Sequence, residues 1–181
     1  MTEPEIRQRI WTELQRATLD RHHEWRTPVL ATVGTDGAPQ ARTVVLRHAD
    51  AKLARLHIYT DSRSPKVAEL VAQPSATLVF WSKRLSWQLR VRADISVQAT
   101  GPEVAAVWNR VSQSAAAGDY LSAAAPGDAL PVQQADSGAL ASTHHLAILN
   151  VQVQEMDWLE LARSGHRRAV FGAHAWAWRT P

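Results

Sequence analysis

Hydrophobic and polar positions follow two different periods along the first third of the chain. Over residues 4–22, apolar side chains recur at the spacing of an amphipathic helix: Ile6, Ile10, Leu14 and Ala17. Short apolar runs with β-branched residues follow, at residues 28–33, 40–48 and 53–59. Turn residues at 34–37 separate the first two runs. The pattern therefore predicts a helix, then a β-hairpin over residues 28–48, then a further strand.

The remaining elements alternate between strands and short helices. A helix is predicted at 66–72, because polar residues precede it and Gln73-Pro74 stops it. Residues 112–142 are rich in Ala, Ser, Gly, Pro and Asp and are predicted to form a long loop with a short helix over 115–122. Another helix starts at Pro102. The predicted strands are 75–81, 85–100, 145–158, 159–161, 167–171 and 175–178.

This order of elements predicts one α+β domain, mainly β, over residues 1–181. Six or more antiparallel strands with three or four helices show no βαβ alternation, which argues against a doubly wound nucleotide-binding sheet. The sequence contains no GxGxxG motif, no phosphate-loop lysine motif and no internal repeat. A single domain built on a β-barrel is the simplest interpretation.

Composition narrows the class of protein. The chain has 181 residues, of which 45% are apolar and 20% charged, as in ordinary globular domains. No apolar run approaches the ~18 residues that span a bilayer, and the N-terminus has no signal-like apolar segment. The absence of cysteine excludes disulfides, thiolate zinc sites and cysteine nucleophiles. We expect a cytoplasmic protein, because a reducing compartment suits such a chain.

A net charge of +3 fits either a mildly basic surface or a partner that carries phosphate, such as nucleic acid or a phosphorylated cofactor, and charge alone does not choose between them. One candidate phosphate site lies where the strand ending at Tyr59 runs into the predicted helix start, since a helix N-terminus presents unpaired N–H groups. Hydroxyl and cationic side chains there would complete the site: Thr60, Arg63, Ser64 and Lys66. A capped helix with solvated cations is the alternative on this pattern alone.

Three other features have both structural and functional interpretations. Gln88 could hydrogen bond to the edge of a bound ring or face solvent from its strand. The eight tryptophans favour core or interface packing, and the eight histidines lack metal-site spacing, so we expect no metal. A nucleic-acid-binding barrel is a further alternative, and it would use Trp81, Arg84, Trp87, Arg90 and Arg92.

Several short motifs, in their order and spacing, resemble the pyridoxamine 5'-phosphate oxidase-like FMN-binding family. Arg42-Thr43-Val44-Val45-Leu46-Arg47 resembles the family's Arg-x-x-x-Leu-Lys/Arg strand. Tyr59-Thr60 and Ser64-Pro65-Lys66 resemble its Tyr-Thr step and its Ser-x-Lys helix start. Gln88 resembles a hairpin glutamine of the family, and Met156-Asp157-Trp158 with residues 167–171 resembles its C-terminal strands.

The resemblance implies a split β-barrel that forms a homodimer with FMN at the subunit interface. It implies that Arg42, Ser64 and Lys66 hold the phosphate, and that Trp158 and Arg168 reach the flavin from the partner subunit. It further implies residues that line the ring or the ribityl chain: Thr43, Val44, Val45, Leu46, Arg47, Tyr59, Thr60 and Gln88. Several cationic or N–H donors are what a dianionic phosphate requires.

The sequence also departs from the true oxidases of that family. Pro65 stands where they usually carry an arginine, for which Arg63 is the expected substitute. Ala124-Ala125 stands in place of a Gln-Ser pair, Arg47 in place of a lysine, and a C-terminal Arg-x-His pair has no recognisable counterpart. We therefore expect an FMN-dependent oxidoreductase of unidentified substrate with weak pyridoxamine 5'-phosphate oxidase activity. A flavin carrier or sensor without turnover is the alternative.

Overall fold

The computed structural model describes residues 1–129, 143–172 and 175–181. Its α-helices are α1 (Glu3–Leu19), α2 (Pro65–Ala72) and α3 (Pro102–Val111), with 3-10 helices at Glu24–Arg26 and Ala115–Tyr120. The first five strands are β1 (Val29–Val33), β2 (Pro39–Thr43), β3 (Leu46–Asp50), β4 (Arg55–Asp61) and β5 (Ser75–Ser82). The last four strands are β6 (Trp87–Gln98), β7 (Leu146–Glu160), β8 (Arg167–Phe171) and β9 (Trp176–Arg179).

The strands form one antiparallel sheet that curls into an open barrel. Its order is β2-β1-β5-β6-β7-β4-β3, and β8 and β9 extend it from β7. β2 and β3 follow each other along the chain but lie at opposite ends of this order, so the barrel stays split between them. The predicted α+β fold, an antiparallel split barrel with flanking helices, is confirmed.

The prediction of one continuous strand over residues 40–48 is wrong, and its correction defines the split. β1 and β2 do form the expected hairpin. The chain then leaves the sheet at Val44–Val45, where the Val44 amide donates to the Pro28 carbonyl at 3.0 Å. A register irregularity between Leu46 and His48 further breaks the alternation, so that Leu46 is buried and His48 exposed.

The other predicted elements occur, with smaller differences. Residues 159–161 belong to β7 instead of forming a separate strand, and the short helix over 115–122 is a 3-10 helix. Of the predicted loop, residues 130–142 lie outside the described residues, as do residues 173–174, which include His174. No helix in the described ranges is long and apolar enough to cross a membrane.

Two apolar clusters position the elements around the split. The main cluster fills the barrel, and α1 closes it through Ile6, Ile10 and Leu14. A second cluster joins α3 to the outer face of the sheet: Val104, Val107, Tyr120, Leu146 and Ile148. Because α3 and the Ala115–Tyr120 helix cover that face, the β3–β4 side of the split has a wall on its outer side.

Candidate functional site

A lysine and two hydroxyls meet where β4 passes into α2. Lys66 lies in the first turn of α2, and its Nζ donates to Ser64 Oγ at 2.6 Å and to Thr60 Oγ1 at 3.0 Å. Ser64 is the N-cap of α2 and Thr60 belongs to β4. Both hydroxyl residues are buried. The helix start predicted from the sequence thus brings these three side chains together.

Arg42 approaches the same helix from β2, across the split. Its guanidinium donates to Glu69 Oε2 at 2.8 Å and also contacts the Thr32 hydroxyl. Thr32 in turn donates to Glu69 Oε2 at 2.6 Å. Glu69 lies one turn beyond Lys66 on α2, so the ion pair holds Arg42 beside the helix that carries Lys66. We call Arg42, Thr60, Ser64 and Lys66 the phosphate cradle.

The cradle carries more positive charge than its surroundings balance. Burial lowers the pKa of Lys66, and the nearby Arg42 lowers it further, against the opposite effects of Glu69 and Asp61. Across the described ranges, no carboxylate lies within ion-pair distance of the Lys66 ammonium, whose partners are the two hydroxyls. A phosphate dianion would supply the missing negative charge, and the positive end of the α2 helix dipole would favour it there. These residues fit the phosphate of FMN.

Arg63 does not join the cradle, contrary to its expected role as a substitute for the family's arginine. Its Nε and Nη2 donate to the two carboxylate oxygens of Asp61 at 3.0 and 2.7 Å. The same guanidinium donates to three successive carbonyls, of Ser122, Ala123 and Ala124. Each of its three nitrogens therefore already donates to a protein acceptor.

Arg47 and Tyr59 line a cleft of about 620 Å³ on the outer side of the split. The Arg47 guanidinium carbon lies 5.8 Å from the centroid of the Tyr59 ring, within cation–π distance. Tyr59 directly precedes Thr60 of the cradle, so the cleft and the cradle are neighbours along β4, although the two side chains project from opposite faces of that strand. α3 forms the opposite wall of the cleft with Val107 and Arg110.

The link between β2 and β3 passes close to both features. Thr43 ends β2 and is exposed, and Val45 is partly buried. Val44 and Leu46 are buried in the barrel core. Val44 and Leu46 can therefore offer only their backbone groups, and not their side chains, to a ligand at the split.

Two histidines in the cleft were not singled out from the sequence. His48 and His57 are cross-strand partners with ring centroids 5.1 Å apart. Burial lowers the pKa of His57, and the neighbouring His48 lowers it further. Strand alternation could have identified His57, because it lies two residues from Tyr59 on β4 and shares its face.

Gln88 and Arg168 lie on the outer face of the barrel. Gln88 is half-buried on β6, opposite Trp81 of β5 and Leu159 of β7. Arg168 donates to both oxygens of Asp157, at 2.9 and 2.7 Å, and Arg90 contacts the same carboxylate. Burial alone would raise the pKa of Asp157, but hydrogen bonds from Arg168 and Arg90 outweigh it and lower that pKa.

Trp158 occupies the barrel interior and does not face outward. Its side chain is fully buried, and its ring meets that of Trp87 edge-on with centroids 5.2 Å apart. The register pairs it with Leu89 and Ala169, both of which are also buried. The expectation that Trp158 reaches a flavin in a neighbouring subunit disagrees with this placement, because no part of the ring is presented at the surface of the chain.

Four of the five residues proposed for nucleic acid binding are engaged within the chain, and the fifth, Trp81, is 47% exposed. Arg84 pairs with Glu13 at 2.6 Å, Arg92 with Glu155 at 3.6 Å, and Arg90 with Asp157. Trp87 is buried. Paired cations and a buried ring do not form the basic, stacking surface that single-stranded nucleic acid requires, so this alternative is not favoured.

Comparison with known proteins assigns the chain to a family. The family model described as "Pyridoxamine 5'-phosphate oxidase, FMN-binding domain" matches residues 8–99, about half of the chain. The matched part includes the whole cradle, the split and Gln88. The chain belongs to this FMN-binding family, and its cofactor is FMN.

Curated relatives share part of this region. The pyridoxine/pyridoxamine 5'-phosphate oxidase of Thermosynechococcus vestitus is 40% identical over 88 residues, which are 48% of this chain and 39% of that protein. The enzyme of the same name from Microcystis aeruginosa is 35% identical over 82 residues, 45% of this chain and 37% of that protein. The matched region thus spans about two fifths of these relatives' length.

Solved structures resemble the whole described fold. A pyridoxamine 5'-phosphate oxidase-related, FMN-binding protein from Nostoc punctiforme has a TM-score of 0.78 at 21% identity, with both chains fully covered. PhzG from Burkholderia lata, solved with tetrahydrophenazine-1-carboxylic acid, has a TM-score of 0.76 at 18% identity. That match covers 100% of this chain and 94% of PhzG. At these identities the likeness supports the fold alone.

Proposed function

We propose that the chain is an FMN-dependent oxidoreductase that acts as a cytoplasmic homodimer on a small-molecule substrate. The observation that carries the proposal is the phosphate cradle beside the open cleft that Arg47 and Tyr59 line. A cofactor held only at its phosphate needs a neighbouring space for its ring and for a reactant, and the cleft supplies that space. When bound, FMN supplies the redox chemistry, and the protein supplies position and electrostatics.

The cradle would fix one end of the cofactor and so set the direction of the rest. Arg42 and Lys66 supply charge to the phosphate, and Ser64 and Thr60 supply hydroxyls from two different elements. Arg42 of the cradle and Arg47 of the cleft stand at the two ends of the β2–β3 link, and Arg47 lies over Tyr59, the residue before Thr60. The ring and ribityl chain would therefore lie along the β2–β3 link, between the cradle and the cleft.

The outer face of the barrel suits a second copy of the chain. The strand register places Val29, Val79, Trp81, Gln88 and Arg90 on that face. Val29 and Trp81 are exposed there at 39% and 47%, which is typical of an apolar contact surface. We propose that the partner subunit covers this face and that Gln88 and Arg168 approach the neighbouring cofactor site.

Anaerobic reduction of the purified holoprotein tests the oxidoreductase function. The released cofactor should chromatograph as FMN, and the bound flavin absorbance should bleach with NADH, NADPH or one member of a substrate panel. Free FMN at the same concentration is the control for uncatalysed reduction. A protein that holds FMN but never exceeds this control would contradict turnover and favour a carrier or sensor. Light scattering that gives a monomer mass would contradict the dimer.

A further inference from the structure

We propose that Arg63 is a positioning residue that fastens residues 121–128 across the FMN site and thereby slows the release of the cofactor. We call residues 121–128 the strap. The proposal rests on the placement of the FMN phosphate in the cradle given above, and it assigns Arg63 a role other than contact with that phosphate.

The Arg63 side chain donates hydrogen bonds to three successive backbone carbonyls of the strap. Its Nη2 donates to the Ser122 carbonyl at 2.8 Å and to the Ala124 carbonyl at 3.3 Å, and its Nη1 donates to the Ala123 carbonyl at 3.1 Å. Asp61 binds the other edge of the guanidinium and raises its pKa. A planar guanidinium reaches all these acceptors when one of the two Nη2 hydrogens is shared between two of them, whereas an ammonium with three donors cannot.

The strap has no side chains that could replace this attachment near its centre. Residues 123–125 are alanines, so their polar groups are limited to the backbone. The Ala125 amide donates to Asp128 Oδ2 at 2.8 Å, and the Asp128 amide donates to the Ala125 carbonyl at 3.1 Å. Those two bonds shape the strap internally, and the Arg63 bonds tie it to the barrel.

The ends of the strap lie at the two ends of the proposed cofactor site. Tyr120, just before the strap, is buried in the cluster against which Tyr59 packs, and Tyr59 in turn lies within cation–π distance of Arg47. At the other end, a Cβ at Gly127 would lie 3.4 Å from Pro65 Cγ. Pro65 stands between Ser64 and Lys66 of the cradle. The strap therefore runs from the ring end to the phosphate end.

This placement connects Arg63 to the lifetime of the complex. A cofactor that lies between the cradle and the cleft must pass the strap to leave, so the bonds that hold the strap must break first. Such gating acts mainly on the dissociation rate. In this arrangement the strap would cover the ring end as well as the phosphate end, so its loosening would affect FMN and phosphate-free riboflavin alike.

Dissociation kinetics with two flavins test the proposal. We expect Arg63→Ala and Arg63→Lys each to speed the release of both FMN and riboflavin by about tenfold, the factor that corresponds to loss of one charge-assisted hydrogen bond. Arg63→Lys retains a cationic partner for the buried Asp61, and this guards against simple unfolding. Arg16→Ala, which removes an exposed arginine of α1, is the matched control. Faster release of FMN alone, with riboflavin unchanged, would assign Arg63 to the phosphate and overturn the proposal.

Hydrogen exchange on the apoprotein provides a second measurement that needs no cofactor. Arg63→Lys should increase amide exchange within residues 121–128 and leave that of β6 unchanged; unchanged exchange in the strap would overturn the proposal. Lys66→Ala separates this failure from failure of the cradle. If Lys66→Ala weakens FMN binding while Arg63→Lys leaves exchange and release unchanged, the strap proposal alone fails. If Lys66→Ala leaves FMN affinity unchanged, the cradle fails.

Discussion

The guanidinium of Arg42 lies 2.8 Å from the carboxylate of Glu69, and this pair joins the β2 edge of the split to α2. Glu69 is buried and also accepts a hydrogen bond from Thr32. One carboxylate thus holds in place a cation of the cradle, and it does so from the side of the helix. The geometry of the phosphate site therefore depends on a residue that need not touch phosphate.

Glu69→Gln is expected to lower both stability and FMN affinity. The amide keeps the shape of the side chain but removes the charge that fixes Arg42, at a cost of about 1.5–3 kcal/mol in the free energy of unfolding. Urea denaturation and fluorescence titration measure the two effects. Glu3→Gln, which breaks the surface pair with Arg7, is the control and should change neither by more than ~0.5 kcal/mol. An unaltered FMN affinity would show that Arg42 does not need this anchor.

Lys66→Ala is expected to weaken FMN binding without unfolding the protein. Loss of one charge-assisted hydrogen bond costs ~1.5–3 kcal/mol, which corresponds to a rise of about ten- to hundred-fold in Kd. Quenching of flavin fluorescence gives the affinity, and thermal melts of the apo forms give the stability. Lys52→Ala, at an exposed turn, should behave like the wild type. Arg42→Ala should lose affinity in parallel with Lys66→Ala, whereas equal affinities of wild type and Lys66→Ala would remove Lys66 from the site.

The affinity for FMN should fall in alkaline solution earlier than an ordinary lysine would allow. Burial and Arg42 lower the pKa of Lys66 below its usual 10.5 in the free protein. As the pH rises through that lowered pKa, Lys66 loses the proton that favours phosphate binding, and Kd increases. Titrations between about pH 7 and 10.5 measure this rise, which should be absent in Lys66→Ala.

The same shift has the opposite effect on the stability of the apoprotein. Between the lowered pKa of folded Lys66 and its ordinary value of 10.5, the unfolded chain holds a proton that the folded chain has lost. The contribution of this group to the free energy of unfolding therefore increases with pH in that window. Urea denaturation of the two apoproteins should therefore show the stability of the wild type rising with pH relative to that of Lys66→Ala. A relative stability that fell with pH in this window would contradict the lowered pKa of Lys66.

Trp158→Ala is expected to destabilise the fold by about 3–5 kcal/mol, because it empties a fully buried site beside Trp87. Trp178→Ala on β9, where the side chain is 47% exposed, should cost about 1 kcal/mol or less. Chemical denaturation of the two variants makes the comparison. A Trp158→Ala protein of normal stability that binds FMN poorly would instead support contact between Trp158 and the flavin, as the family resemblance implies.

Oxidation of pyridoxamine 5'-phosphate should be weak or absent. Ala124-Ala125 offers no polar side chain, the Ala124 carbonyl is held by Arg63, and no Arg-x-His pair is recognisable near the C-terminus. Oxygen consumption by the FMN-loaded protein measures the rate. A kcat/KM on the order of 10⁴ M⁻¹s⁻¹ or above would show that these departures do not matter.

The parts of the site that sequence predicts well are local. Thr60, Ser64 and Lys66 lie within seven residues, and the geometry of one helix start brings them together. Arg63 lies in the same segment, but its carbonyl partners are about 60 residues away along the chain. The charge of Arg63 and its place in the sequence therefore suggested a phosphate ligand. Its actual hydrogen bonds depend on a distant loop, whose position no local sequence pattern predicts.

The sequence also does not determine which strand residues point into the barrel and which point outward. Trp158 and Asp157 are neighbours on β7, yet one fills the barrel and the other binds arginines on the outside. Only the pairing of β7 with β6 and β8 decides which is which. The break in the strand at Val44–Val45 could not be predicted either, because both residues are β-branched, which is typical of a continuing strand.

The two-residue link at Val44–Val45 limits which insertions and deletions the chain can tolerate. Leu46, the first residue of β3, is fully buried directly after it. Inserting or deleting one residue in the link would reverse the alternation of β3 and turn Leu46 toward solvent. The spacing between the cradle's arginine and the cleft's arginine is thus set by the packing of the barrel interior. A homologue could exchange the exposed Thr43 beside this link, but it could not change the number of residues between Arg42 and Arg47.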